Sequence, residues 1–327
     1  MYQPCWFSYS NFLQTISSVF IRLPESTTVT IDTKLVKQSR GRHKGTVEYA
    51  VIKNPNAKAD QPSKVLYLIP GATGESEGGM MQIMSKRALD LGYHVFISNP
   101  LAPPDSKERS DLELIDFTRS KAIREAIESL KEQFGSDAEI YAMGFSLGSN
   151  HLLRHLGSHK DCKTKCGIKA AVSVSGAFEL PATGIELKYT ALGIYDQYML
   201  LKIRGHFLDK KFKYQNDVHD LIELGTKRST LFDFDAAVRA PMLGHKGGHT
   251  LYRKISCGFF VPNIETPTFV LTAKDDPITK YKHVPIYEIK QNPNIFLIAT
   301  PYGGHCEFSY KKVDPQTGKP YYSNYVE

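Results

Sequence analysis

The sequence predicts an α/β fold, a mostly parallel sheet with helices on both faces and a helical cap inserted late in the chain. Three observations lead there. The chain has 327 residues, 41% hydrophobic and 23% charged, which suits a globular protein with a sizeable core. Short apolar runs alternate with amphipathic stretches through its middle, as strands joined by crossover helices do. That alternation stops at Gly176 and resumes at Thr268, leaving a long helix-like stretch between.

Taken in order, Val65–Ile69 is an apolar run ending at Pro70-Gly71 and reads as a buried strand. Met80–Leu91 reads as a helix stopped by Gly92, and His94–Ser98 as the next strand. A Pro-rich loop, Asn99–Lys107, leads to Ser110-Asp-Leu-Glu113, a capping box. The helix it opens carries Ile115, Ile123, Ile127, Leu130 and Phe134 on one face and stops at Gly135. Glu139–Met143 is a strand, Leu147–Leu156 a helix stopped by Gly157, and Ala170–Ser175 a strand. Beyond Gly176 the chain reads as helical and irregular, with polar stretches such as Lys210–Asp220. Thr268–Thr272 and Ile295–Ala299 are the last two strands. The expected organisation is an N-terminal arm (1–25), a first core segment (26–176), a cap (177–262), and a second core segment with a short tail (263–327).

Composition narrows the function. The formal charge of +7 is a modest excess that suits anionic surfaces or a plain solvated exterior. Its densest patches, Lys34–Lys44, Lys160–Lys169 and Lys202–Lys213, lack the aromatic interleaving of a nucleic-acid platform. Cys5, Cys162, Cys166, Cys257 and Cys306 are too few and too scattered for a disulfide framework and read as free thiols. Cys162 and Cys166 have no second pair to complete a zinc site. No cofactor or metal is expected. No apolar run is long enough to span a bilayer, and Met1–Leu23 lacks the plan of a secretory signal. The chain is expected in the cytoplasm or peripheral to a membrane, and its acid-poor N-terminus leaves a mitochondrial presequence open.

The chemistry centres on Gly144-Phe-Ser146-Leu-Gly148, placed between a strand and a helix. This is the nucleophile-elbow pattern: flanking glycines allow a turn too tight for a Cβ, and the serine hydroxyl projects above the sheet at a helix N-terminus. By composition alone roughly 0.1 such matches arise by chance in a chain this long, so the placement carries the signal. An acid and a base should follow the last two strands in the order Ser, Asp, His. Asp275-Asp276-Pro277 follows Thr268–Thr272, and Gly303-Gly304-His305 follows Ile295–Ala299. His305 is the expected general base and Asp276 the residue that fixes its tautomer, with Asp275 a solvated or turn-forming neighbour. His151 and His155 fall on the helix behind the serine, and His245, His249 and His283 in loops. Two backbone N–H groups must hold the oxyanion. Leu147 would supply one, and Ala72, in the loop Pro70-Gly71-Ala72-Thr73-Gly74, the other.

These residues resemble those of the YheT-like α/β-hydrolases, bacterial esterases and eukaryotic lipases and phospholipases. Trp6–Ile16 (WFSYSNFLQTI) is similar to the family's N-terminal segment, Pro70–Gly74 with Ser76 to its oxyanion loop, and Gly144–Leu153 (GFSLGSNHLL) to its elbow. Leu231–Asp235 and Tyr252–Ser256 resemble its cap landmarks. Asp275-Asp276-Pro277 and Asn292-Pro293-Asn294 through His305 resemble its C-terminal pattern, in which the second Asp serves the triad. The resemblance implies an α/β-hydrolase fold and cleavage of carboxylic esters, in eukaryotic members acylglycerols or phosphatidylcholines, often at a membrane. The chain departs from it in three places. It shows no N-terminal anchor, has Pro100-Leu101-Ala102 where the family has His-Arg-Gly after Asn99, and ends soon after His305 where the family adds a helix.

The expected partner is an acyl-ester or lipid substrate, with peripheral membrane contact and a protein partner on the face that helix would cover as further expectations. Two rival readings use the same residues: a catalytically silent structural or assembly subunit, and an acyltransferase passing the acyl group to an acceptor other than water. The stretch Ala191–Ile203 (ALGIYDQYMLLKI) should line an acyl pocket through Met199 and Leu200.

Overall fold

The computed structural model describes residues 15, 32–36, 47–57, 60–74, 78–99, 120–158, 167–208, 216–313 and 320–324. The strands are β1 (Asp32–Val36), β2 (Val47–Ile52), β3 (Lys64–Ile69), β4 (His94–Asn99), β5 (Glu139–Phe145), β6 (Ile168–Val174), β7 (Thr268–Ala273) and β8 (Ile295–Thr300). They form one eight-stranded sheet in the order β1-β2-β4-β3-β5-β6-β7-β8. From β4 to β8 all neighbours are parallel, while β2 runs antiparallel to β4 and β1 antiparallel to β2.

Alternation along each strand builds two cores. Val65, Tyr67 and Ile69 of β3 face the layer of α2 (Ser120–Phe134) and α3 (Leu147–Ser158), meeting Ile123, Ile127, Leu130 and Leu153. Leu68, Val95 and Ile97 face the other way, against Met81, Met84 and Ala88 of α1 (Gly79–Asp90). Burying one such Leu or Ile contributes about 1.5–3 kcal/mol, which is why both faces of the central strands are apolar.

Four details differ from expectation. The antiparallel pair β1–β2 was not foreseen, since it lies outside the strand–helix alternation at the sheet edge. The expected last strand is followed by β9 (Ser309–Val313) and β10 (Pro320–Asn324), a separate antiparallel pair. Gly157 does not stop its helix. It lies inside α3, where a Cβ would come 2.1 Å from the carbonyl oxygen of Phe260, so close backbone packing requires it. His249 sits in a helix rather than a loop. The Pro-rich loop beyond Asn99, the capping box Ser110–Glu113 and Ile115 lie outside the described residues.

Between β6 and β7 come α4 (Leu180–Leu187), α5 (Ile194–Phe207), α6 (Asn216–Thr226), α7 (Leu231–Ala237), α8 (Arg239–Met242) and α9 (Gly248–Ile255). They share a core of their own around Leu200, Ile222, Phe234 and Val238. Within the cap Asp235, fully buried, takes both the Arg239 guanidinium and the Tyr252 hydroxyl, tying α7, α8 and α9 together. Burial alone would lower the Arg239 pKa, but Asp235 outweighs it and holds the guanidinium charged. At the cap's edge, Glu186 of α4 meets Lys280 at 3.0 Å and Lys282 at 2.7 Å, on the segment after β7.

Candidate active site

The C-terminal ends of β3, β5, β6, β7 and β8 converge below the cap, where parallel sheets place their sites. Ser146 directly follows β5 with φ 52°, a left-handed conformation rarely adopted by a non-glycine residue. The flanking glycines make this turn feasible. A Cβ on Gly144 would come 2.7 Å from the Gly148 carbonyl oxygen, and one on Gly148 would come 2.2 Å from the Ile69 carbonyl oxygen. The serine N–H donates to the Val174 carbonyl at 2.9 Å, fixing the turn to β6.

The sheet brings Ser146, Asp276 and His305 into one hydrogen-bonded chain. His305 Nε2 lies 2.9 Å from Ser146 Oγ, and its Nδ1 lies 2.9 Å from Asp276 Oδ2. Asp276 is 4% exposed. Its Oδ1 accepts the N–H groups of Ile278 and Thr279 at 2.8 and 2.9 Å, and its Oδ2 also accepts the Thr279 hydroxyl at 2.8 Å. Burial lowers the His305 pKa, but the facing Asp276 carboxylate, with Cys306, outweighs it and leaves the imidazole well above its ordinary value.

The other expected residues fall at distinct places. Leu147 opens α3, where the first N–H groups of a helix have no intrahelical partner. Ala72 lies on the loop after β3 and, with Ser146 and Leu147, borders the pocket beneath the cap. This loop abuts the serine, since a Cβ on Gly71 would come 3.2 Å from that of Ser146. Asp275 differs from expectation. It is half-buried and accepts the Gly304 N–H at 3.0 Å, so it braces the loop carrying His305. Burial raises its pKa.

His151 is held at about 3 by burial, with Arg154 and Arg239 adding to the effect, and is neutral. His283 pairs with Glu186 at 3.3 Å, and the His249 ring meets Phe232. Among the described residues no cluster of His, Cys, Asp and Glu could hold a metal ion.

Sequence reasoning missed three supports. The Thr15 hydroxyl accepts the backbone N–H of His305 at 3.0 Å. Ser175 Oγ accepts the Cys306 N–H at 3.1 Å, and both residues have positive φ. Thr279 braces Asp276 through its hydroxyl and backbone N–H, with the Ser175 carbonyl 3.1 Å from the same hydroxyl. Thr279 had a local signal, because an Asp followed by a hydroxyl residue three positions on is a turn pattern. Thr15 had its place in the Leu-Gln-Thr-Ile segment. Ser175 had none.

A pocket lies above Ser146, beneath the cap, bordered by Leu147, Ala72 and Thr279. Its walls are mostly apolar, with Leu180, Leu187, Met199, Ile203, Leu251 and Ile278 among them. Met199 and Ile203 line it, but Leu200 does not. Leu200 is 1% exposed and packs into the cap's own core. The two neighbours are separated by about 100° around the helix.

Residues 64–311 match a family model described as alpha/beta hydrolase fold. Among curated proteins, a monoacylglycerol lipase from Saccharomyces cerevisiae is 29% identical over 81% of this chain and 59% of its own length. An embryogenesis-associated protein from Picea glauca is 28% identical over 76% of this chain and 54% of its own length. A phospholipase from Mus musculus is 26% identical over 74% of this chain and 58% of its own. The chain thus spans little more than half of each of these relatives. Among solved structures, an esterase from Pyrococcus furiosus aligns at TM-score 0.54 and 15% identity, covering 87% of this chain and 86% of its own, a likeness of fold.

Proposed function

The chain belongs to the alpha/beta hydrolase fold family, and on that premise we propose that it is a serine hydrolase cleaving carboxylic esters of acyl lipids or of short-to-medium chains. The supporting observation is the hydrogen-bonded chain from Asp276 through His305 to Ser146 Oγ. Ser146 Oγ attacks the ester carbonyl while His305 Nε2 takes its proton. The N–H groups of Leu147 and Ala72 hold the developing oxyanion. The imidazolium, steadied by Asp276, then protonates the leaving alcohol, and a water activated by the same nitrogen releases the acid. The acyl chain lies in the apolar pocket, where each buried methylene contributes about 0.8 kcal/mol. The names of the lipase and phospholipase relatives agree with this substrate class.

A panel of p-nitrophenyl esters of increasing length, with a monoacylglycerol and a phosphatidylcholine, tests the reading. Hydrolysis should be clear in the wild type and lower by several orders of magnitude in Ser146→Ala, because the three residues act as a unit. Turnover in Ser146→Ala equal to wild type would overturn it.

A further inference from the structure

Helix α5 is apolar on faces that cannot all be buried. Met199 and Ile203 line the pocket, and Tyr195 and Leu200 pack into the cap core. On the opposite side, Ile194, Tyr198, Leu201 and Leu208 are exposed by 49, 42, 65 and 48%. At about 100° per residue these four fall within an arc of about 80°, so they form one stripe along the helix axis. A helix apolar all round is ordinarily enclosed on every side, and among the described residues this one is covered on one side only.

The turn before α5 extends the stripe. Ala191 and Leu192 both have left-handed backbones (φ 49° and 56°), followed by Gly193 at φ 79°. Two consecutive non-glycine residues in this region are uncommon and persist where the surrounding fold enforces them. Leu192, two residues before the stripe begins at Ile194, is 97% exposed.

Charge indicates what covers this face. From Leu187 to Leu208 the only acidic residue is Asp196. It is 1% exposed and turned inward to accept the Leu231 N–H. Lys188 and Lys202 are exposed, and Arg204 is half-exposed. Around the helix, Lys202 flanks the stripe on one side, while the Arg204 guanidinium on the other is held by the Gly225 and Arg228 carbonyls. An apolar stripe bordered by lysines, with no solvent-facing carboxylate between Leu187 and Leu208, complements an anionic lipid interface.

We propose that the stripe Leu192–Ile194–Tyr198–Leu201 on the cap is a docking surface for bilayers containing anionic phospholipid. Its apolar side chains enter the acyl boundary, and Lys188 and Lys202 meet the headgroups. The same helix then carries the lipid surface on one face and the pocket wall on the other. The proposal deepens the ester-hydrolase reading, resting on it only for what the docked protein does to the lipid.

The test uses the full chain with vesicles of phosphatidylcholine, with and without phosphatidylglycerol. Wild type should co-sediment with the anionic vesicles, weakly with the neutral ones, and less as salt rises. The double variant Leu192→Ser/Leu201→Ser should bind at least about tenfold less while hydrolysing a water-soluble acetate ester as wild type does. Lys188→Gln/Lys202→Gln should lose the preference for phosphatidylglycerol. Leu201→Trp supplies a readout that needs no loss of function: lipid-borne quenchers should quench its fluorescence beyond the Trp6 background. Unchanged vesicle binding by the Ser double variant would overturn the proposal, as would an unquenched Trp. So would a wild-type dimer that the Ser variant abolishes without any vesicle binding, since a second copy would then cover the stripe. Loss of acetate-ester hydrolysis by the wild type would instead strike the hydrolase reading and leave the docking result to stand alone.

Discussion

Replacing Asp276 by Asn changes one atom and should remove most of the activity, for a reason fixed by the surrounding donors. Oδ1 accepts two backbone N–H groups, from Ile278 and Thr279 at 2.8 and 2.9 Å. Those donors cannot turn away, so the amide oxygen must occupy the Oδ1 position. The amide NH2 then takes the Oδ2 position, 2.9 Å from His305 Nδ1. A donor there forces Nδ1 to accept, which moves the ring proton to Nε2, facing Ser146 Oγ at 2.9 Å. In that tautomer the imidazole cannot take the serine proton. The expected loss in kcat/KM is about 10³–10⁴, or roughly 4–5.5 kcal/mol of transition-state stabilisation.

A pH profile separates this cause from misfolding. His305 must be neutral to act as a base, and its pKa is raised well above the ordinary 6.5 because Asp276 overcomes the opposing effect of burial. Wild-type kcat/KM should therefore fall on acidification through a pKa above that value. In Asp276→Asn the carboxylate is gone and burial remains, so the acidic limb should move to lower pH while the plateau drops. The assay is p-nitrophenyl acetate hydrolysis across pH, with circular dichroism as the control for fold. A plateau reduced by less than tenfold in a folded variant, or an acidic limb moving upward, would refute the reasoning.

Other outcomes follow from the same geometry. Met199→Gln should raise KM for long-chain esters about tenfold and leave acetate esters within about twofold, since an unpaired amide against an acyl chain costs about 1–3 kcal/mol. Leu200→Ala, in the cap core instead, should cost about 2–5 kcal/mol of stability in a urea titration with no chain-length effect. Equal chain-length selectivity in the two variants would contradict the division between pocket and core. Thr15→Val removes the acceptor for the His305 N–H and should lower kcat about five- to tenfold with KM unchanged, the size of one lost backbone hydrogen bond; an unchanged kcat would show that the contact does not position the base. Asp235→Asn strands the Arg239 charge in a buried site and should destabilise the fold by about 3–5 kcal/mol, measured as a lower urea midpoint, and a midpoint equal to wild type would contradict it.

The central parallel strands were legible because they are buried on both faces and read as short apolar runs, as in Val65–Ile69 and Phe269–Leu271. The order Ser146, Asp276, His305 followed from where those runs end. The antiparallel β1 and β2 carry no such signal, because an edge pair has no crossover helix. Met199 and Leu200 could not be told apart, since a helix apolar on every side carries no period that marks one face. Gly157 read as a helix stop because its reason for being Gly is a backbone at Phe260, about a hundred residues on. The same limit hid Thr15 and Asp275, whose roles lie in hydrogen bonds to the His305 loop from residues distant in the chain.

The central claim is that Ser146 is a nucleophile activated by His305, and covalent labelling tests it most directly. The full chain is incubated at neutral pH with an activated fluorophosphonate, and adducts are located by intact mass and peptide mapping. The account predicts a single adduct on Ser146 in wild type, none in Ser146→Ala, and labelling slowed by orders of magnitude in His305→Ala. An unlabelled wild type, or an adduct on another residue that persists in Ser146→Ala, would contradict it.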